Sequence, residues 1–210
     1  MTPSHASVGA VILAAGSSSR YGALKQLIAI DGEPMARRIV RGALAAGLHP
    51  VVVVVGAQSD RVTDCLNNLD VIAVSNPAWG DGMGSSLATG VQALLAQAAP
   101  LQSLMVLLAD QPAIKVDDLE RMLAAHAQRP DRILACQKNG DFGPPCLFPV
   151  AYADELMAVS GTQGARALIE RHASLVEGFD LPAAFQDIDT PEDYNAWEAA
   201  RDRPLVDGLD

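Results

Sequence analysis

Three groups of residues in this sequence have the types and spacing to do chemistry. The first is Leu13-Ala14-Ala15-Gly16-Ser17-Ser18-Ser19-Arg20-Tyr21-Gly22-Ala23-Leu24-Lys25. Small residues there let backbone N–H groups approach an oxyanion closely, and two cations, Arg20 and Lys25, neutralise charge. The second is Asn76-Pro77-Ala78-Trp79-Gly80-Asp81-Gly82-Met83-Gly84-Ser85-Ser86. Its Gly82, Ser85 and Ser86 offer backbone donors and hydroxyls at a helix start, suited to base, ribose or phosphate. The third is carboxylate chemistry. Asp110 ends an apolar run, where a charge is costly unless it meets a partner or cation, and Asp187 and Asp189 follow near the C-terminus. Mg²⁺ favours one or two carboxylates completed by phosphate oxygens, so Asp110 is the first candidate ligand and Asp189 the second. Asp189 also belongs to a helix-capping sequence, and the first loop also reads as a plain Ser/Gly turn.

These groups need a scaffold that brings loops together, and the hydrophobic pattern supplies one. Val8–Leu13, Val51–Val55, Val71–Val74, Leu104–Ala109 and Ile133–Cys136 are short apolar runs, most of them β-branched, the signature of strands buried on both faces of a parallel sheet. Helices are expected between them. One runs from Pro34, at its first position, to Ala46, and stops at Gly47. Others cover Gln58–Leu69, the stretch after Ser86 to Ala98, and a segment capped by Asp117 that reaches Gln128. Lys138–Gly143 reads as a turn and Cys146–Phe148 as a returning strand. Helices over Ala151–Val159 and Gly164–His172 precede a short segment around Val176. Thr190, Pro191 and Asp193 then start a last helix as N-cap, first residue and acidic third residue. Alternating strands and helices predict a three-layer α/β/α fold on a mostly parallel, mixed sheet. Loops 14–25, 76–86 and 110–112 all leave carboxyl ends of strands, where open α/β sheets bind ligands.

Composition narrows the function classes. At 210 residues the chain fits a single domain, expected over 1–203, with a frayed tail at 204–210. A formal net charge of −10 disfavours nucleic acid and anionic lipid as partners, while leaving room for a small anion at local cations. No apolar run approaches a membrane span, and the first residues lack a signal-peptide pattern. Cys65, Cys136 and Cys146 are too scattered for a disulfide framework or zinc site, and the four histidines show no ligand spacing. A cytoplasmic setting is expected. Gly16 and Gly22 stand six apart with cations between and after them, which is neither a dinucleotide fingerprint nor a P-loop.

Together these residues resemble the MobA-like nucleotidyltransferases. The likeness lies in Leu13-Ala14-Ala15-Gly16 followed by Arg20-x-Gly22-x-x-Lys25, then in Asn76-Pro77, Gly82-Met83, Ser86, Asp110-Gln111-Pro112 and the stretch from Asp187 to Asp193. It implies a nucleotide-diphospho-sugar-transferase-like (Rossmann-like) fold and Mg²⁺-dependent nucleotidyl transfer, with Arg20, Lys25 and Asp110 catalytic. Leu13, Ala14, Ala15, Gly16, Arg20, Lys25, Gly82, Ser85 and Ser86 would bind nucleotide, and Asp110 and Asp189 the metal. Ala14-Ala15 resembles the cytidylyltransferase (MocA-type) branch, as do Gly143–Phe148 and Gly161–Arg166. That implies CTP and a molybdopterin-type cofactor as substrates and a molybdenum hydroxylase apoenzyme as recipient. Gly143-Pro144-Pro145 departs from the Gly-His-Pro of many such enzymes. The alternatives are therefore a GTP-dependent guanylyltransferase, a sugar- or alcohol-phosphate cytidylyltransferase, and a non-catalytic cofactor carrier.

Overall fold

In the computed structural model, which describes residues 7–16, 24–97 and 100–201, the first apolar run is strand β1 (Val8–Ala14). It is flanked by β4 (Val51–Val55) on one side and β6 (Ser103–Leu108) on the other, both parallel to it. β5 (Ile72–Ser75) extends the β4 side. On the β6 side follow β8 (Asp141–Pro149), β7 (Ile133–Lys138) and β9 (Val176–Asp180), giving the order β5-β4-β1-β6-β8-β7-β9. Only β8 runs against its neighbours. The sheet is thus mixed and mostly parallel, as the alternation predicts.

Period-2 alternation divides the strand residues between two cores. Ile12, Val53 and Leu107 face α1 (Met35–Ala45), α2 (Ser59–Cys65) and α4 (Val116–Gln128). Val11, Val54 and Val106 face α3 (Met83–Leu95), α5 (Ala153–Met157) and α6 (Arg166–Arg171). A third, small cluster joins Ile30, Met35 and Ile188 to Tyr194 and Trp197 of α7 (Pro191–Arg201).

Several boundaries differ from expectation for local reasons. Asp31 and Gly32 both take positive φ, so 29–34 folds into a small hairpin, β2 (Ala29–Ile30) and β3 (Glu33–Pro34). Pro34 ends that hairpin as the N-cap of α1 instead of its first residue. Asn139-Gly140 forms a two-residue turn with both φ positive, so β7 and β8 run on through the expected 138–143 turn. The N-cap of α4 is Lys115, two residues before Asp117. Its backbone N–H donates to Asp118 at 3.0 Å, which leaves Asp117 in the first turn, favourably placed in the helix dipole. Gly47, with φ +83°, follows α1 as expected. The 204–210 tail lies outside the described residues.

Candidate active site

The strand order reverses between β1 and β6, because β1 leads on to β4 and β5 while β6 leads away to β8, β7 and β9. Such a switch point opens a crevice at the carboxyl ends of the strands. Leu13 pairs with Leu108, and Ala109 N–H donates to Leu13 C=O at 3.1 Å, so the two strands empty side by side. Asp110, Ala15 and Gly16 thereby line a common gap at the strand ends. The backbone N–H of Ile188 donates to Asp110 C=O at 3.1 Å, which brings the Asp187–Asp189 stretch over the end of β6.

Lys25 opens a short 3-10 turn, Lys25–Leu27, and points back into this gap. Its Nζ lies 2.6 Å from Asp110 Oδ2 and 2.5 Å from Asp189 Oδ1. Burial alone would lower the Lys25 pKa, but the charge and hydrogen bond of Asp110, then those of Asp189, outweigh it and hold the ammonium above its ordinary value. The other Asp110 oxygen, Oδ1, is buried with no hydrogen-bond partner among the described residues. Asp187 is exposed on the surface, yet surrounding protein and the Asp110 charge push its carboxyl up to about 6.

The opposite wall is the second glycine-rich loop. Asn76, almost fully buried, ties it together: its amide donates to Ser85 Oγ and Ser86 Oγ, each at 3.0 Å, and its carbonyl accepts from Ala78 N–H at 3.0 Å. The Ser85 hydroxyl has the C=O groups of Ala78 and Gly82 both at 2.9 Å, and its one proton goes to that pair. Gly82 has φ +109°, and a Cβ on it would stand 2.5 Å from Gly161 C=O, so only glycine suits this contact. Gly84 N–H donates to the same carbonyl at 2.9 Å. Gly56, just beyond β4, is equally constrained, since a Cβ would lie 2.4 Å from Ala15 C=O and 2.8 Å from the Trp79 ring.

Between these walls is a cleft of about 320 Å³. Of the residues expected to bind nucleotide, Leu13, Ala15, Gly16, Lys25, Gly82 and Ser86 line it, with Asp110. Ala14 does not line it, because its side chain belongs to the core on the other face of the sheet. Ser85 stands behind the loop it braces. Arg20 lies outside the described residues. Asp189 reaches the site through its ion pair with Lys25.

Trp79 and Met83 of the second loop also line the cleft, and so does Gln26, which lies outside the residues singled out from the sequence. Gln26 is 2% exposed and donates from Nε2 to Gly16 C=O at 2.8 Å, fixing the exit of β1. A polar residue directly after the motif lysine was its only signal. Gln111, also buried, donates to Pro144 C=O at 3.1 Å and Ala184 C=O at 2.7 Å, linking the Asp110 step to β8 and to the segment before Asp187. The three arginines of α1 brace neighbouring segments. Arg37 donates to Cys65 C=O, Arg38 to Pro112 C=O, and Arg41 grips Glu33 with two bonds.

The donor set fits a hard divalent cation. Asp110 and Asp189 offer carboxylate oxygens, and the buried Oδ1 of Asp110 has coordinating capacity to spare. Among the described residues no group of three or more His, Cys, Asp or Glu side chains is gathered to hold a metal by itself. Oxygens from water and a substrate would complete the shell. No helix of the described residues is long and apolar enough to cross a membrane.

A crevice at a switch point, lined by Ala15 and Gly16 on one side and the 76–86 loop on the other and carrying a lysine between two aspartates, offers the donors and charge that a nucleoside polyphosphate needs. The MobA-like NTP transferase domain matches residues 10–176, and the chain belongs to that family of nucleotidyltransferases. It is 32% identical over 196 residues to nicotine blue oxidoreductase of Paenarthrobacter nicotinovorans, spanning 88% of this chain and 93% of that protein. It is 30% identical over 203 residues to purine catabolism protein PucB of Bacillus subtilis (strain 168), with the same two coverages of 88% and 93%. Rv0371c from Mycobacterium tuberculosis H37Rv shares the fold with a TM-score of 0.76 at 22% identity, over 92% of this chain and 98% of that one. A second Rv0371c structure, a complex with manganese, matches with a TM-score of 0.69 at 22% identity, over 90% of this chain and 97% of that one. The fold is the nucleotide-diphospho-sugar-transferase-like one that the resemblance implies.

Proposed function

We propose that this chain, as a single nucleotidyltransferase domain over 1–203 acting in the cytoplasm, is a CTP:molybdopterin cytidylyltransferase. The observation that carries nucleotidyl transfer is the Lys25 ammonium seated between Asp110 and Asp189 at the switch point, beside the cleft. A terminal phosphate oxygen of the cofactor attacks the α-phosphorus of CTP, a new P–O bond forms, and the bond to the β-phosphate oxygen breaks to release pyrophosphate. The acceptor phosphate is its own nucleophile, so no serine–histidine pair is needed, and catalysis rests on positioning and charge. Lys25, with Arg20, holds the triphosphate and offsets the charge growing on the leaving pyrophosphate. Backbone groups of Ala14–Gly16 and of Gly82–Ser86 seat base and ribose. Asp110 and Asp189 would hold Mg²⁺, which supplies Lewis-acid neutralisation of phosphate charge when bound. The manganese in one Rv0371c structure supports a divalent ion here.

The choice of CTP rests on Ala14-Ala15, and the structure narrows that claim, because only Ala15 of the pair lines the cleft. The pterin acceptor rests on the likeness of Gly143–Phe148 and Gly161–Arg166 to the cytidylyltransferase branch, and the product would pass to a molybdenum hydroxylase apoenzyme. The deciding experiment is a pyrophosphate-release screen of CTP, GTP, ATP and UTP, with and without molybdopterin. Turnover with CTP only when the pterin is present supports the proposal. GTP selectivity, or turnover with a sugar or alcohol phosphate instead, replaces the substrate. CTP binding without pyrophosphate release turns the chain into a carrier. One relative is named an oxidoreductase, so reduction of nicotine blue is a further arm, and redox turnover there without pyrophosphate release would refute the transferase reading.

A further inference from the structure

The proposed function gives Lys25 and the metal the same two carboxylates. Nζ of Lys25 sits within hydrogen-bond distance of both Asp110 Oδ2 and Asp189 Oδ1, at 2.6 and 2.5 Å. A divalent ion held by Asp110 and Asp189 would compete with Nζ for those oxygens and be repelled by its like charge. We infer that Lys25 is an internal cation that keeps the acid pair closed to divalent metal until a triphosphate draws its ammonium away, so that metal enters with the nucleotide and not before it. This rests on the reading of Asp110 and Asp189 as the metal pair, and it adds the order of events at that pair.

The backbone geometry assigns the moving part. The carboxylates are carried on anchored chain: Ile188 N–H is bonded to Asp110 C=O at 3.1 Å, and Asp189 N–H to Asp193 Oδ2 at 3.1 Å. Lys25, by contrast, ends in a compact charge on a four-carbon stem that can swing without disturbing the main chain. The charge balance favours the exchange only when nucleotide arrives. Metal alone would leave Lys25 cationic, 15% exposed, and without its two carboxylates. A triphosphate offers phosphate oxygens to the ammonium at the moment the metal takes the aspartates, so both cations stay compensated. The buried Oδ1 of Asp110, which Lys25 leaves unpartnered, keeps a carboxylate oxygen uncommitted for the metal. The latch cuts the apparent metal affinity to the intrinsic affinity multiplied by the fraction of molecules in the open state.

The test uses the full chain and Mn²⁺ as the probe, read by electron paramagnetic resonance of free Mn²⁺ with nucleotide absent. Wild type should bind Mn²⁺ weakly. Lys25→Met should bind it at least about tenfold more tightly, and Lys25→Met/Asp189→Asn should lose the gain. Adding α,β-methylene-CTP, which cannot be turned over at the α-phosphorus, should remove more free Mn²⁺ with wild type present than the same analogue chelates in protein-free buffer. If Lys25→Met misfolds by circular dichroism, Lys25→Gln takes its place. Wild type that binds Mn²⁺ alone as tightly as the Lys25 variant overturns the latch. So does a Lys25 variant that still needs the analogue. If Asp110→Asn leaves Mn²⁺ binding with the analogue unchanged, the acid pair is not the metal site, and the reading beneath the latch fails.

Discussion

Gly90→Ala is the substitution that best tests how the sheet and the second loop are coupled. Gly90 lies in α3, where a Cβ would stand 2.4 Å from Val11 Cγ1 and 2.7 Å from Val54 Cγ2. Carbon contacts settle at about 3.5–4.0 Å, so the helix would have to lift by roughly 1 Å. Neither valine can yield, because both are fully buried on central strands and β-branched side chains hold one χ1 well. Alanine gains about 0.8–1.0 kcal/mol over glycine in a helix interior, and overpacking a filled core costs about 1–3 kcal/mol. With two immovable contacts the cost falls at the upper end, for a net loss of about 1–2 kcal/mol. At about 2–4 °C per kcal/mol for a chain of this size, Tm should drop by about 2–8 °C. Gly42→Ala in α1 is the matched control: a Cβ there meets nothing within 4 Å, so the helix gain stands alone and Tm should rise by about 2–4 °C. Calorimetry of the two variants reads opposite signs. Because Met83 and Ser86 on the first turns of α3 line the cleft, Gly90→Ala should also raise the nucleotide KM, and Gly42→Ala should not. A Gly90→Ala protein that gains stability as Gly42→Ala does would refute the packing argument.

Ala15→Gly should raise GTP turnover relative to CTP in the pyrophosphate assay. Ala14→Gly, whose side chain lies in the opposite core, should lower Tm at unchanged nucleotide preference. Asp193→Ala removes the acceptor for Asp189 N–H, Thr190 N–H and Thr190 Oγ. It should lower Tm by less than Gly90→Ala and weaken Mn²⁺ binding with nucleotide analogue, because Asp189 loses its anchor. Asp187 titrates near 6 in the fold against an unperturbed value of 3.8. Its contribution to stability is therefore complete below about pH 4 and lost as pH rises through about 6. Metal-free Asp187→Asn should match wild type in Tm at pH 4 and exceed it at pH 7.5, and equal Tm values at both pH settings would refute the shift.

The sheet was legible where one strand's own residues decide its state. Val51–Val55 is apolar at every position and is buried at every position, as a strand covered on both faces must be. Strand order was not legible, because placing β8 between β6 and β7 depends on pairing across the sheet that no local pattern encodes. The hairpin that makes it possible did carry a local sign. Asn139-Gly140 is the dipeptide that a two-residue turn with positive φ prefers, and weighing it would have shortened the expected 138–143 turn to those two residues. The helix expected over Gln58–Leu69 likewise ends early, at Cys65, and the chain soon after takes positive φ at Asn68.

The site was legible by residue type and illegible by allegiance. Lys25, Asp110 and Asp189 were each singled out for charge in an unusual place, and they do converge, although Asp189 is 164 residues from Lys25. Chemistry alone assigned lysine to phosphate and aspartate to metal, two separate pairings. The ligand-free fold pairs lysine with aspartate instead, because a cation and an anion drawn into one crevice satisfy each other before any substrate arrives. Ser85 makes the same point in the neutral case. Read as a hydroxyl for nucleotide, it is taken by the carbonyls of its own loop, while Ser86, one residue on, lines the cleft. Sequence names the groups able to bind a nucleotide; the fold decides which already have partners, and for Lys25 that partnership has to be exchanged before the reaction can begin.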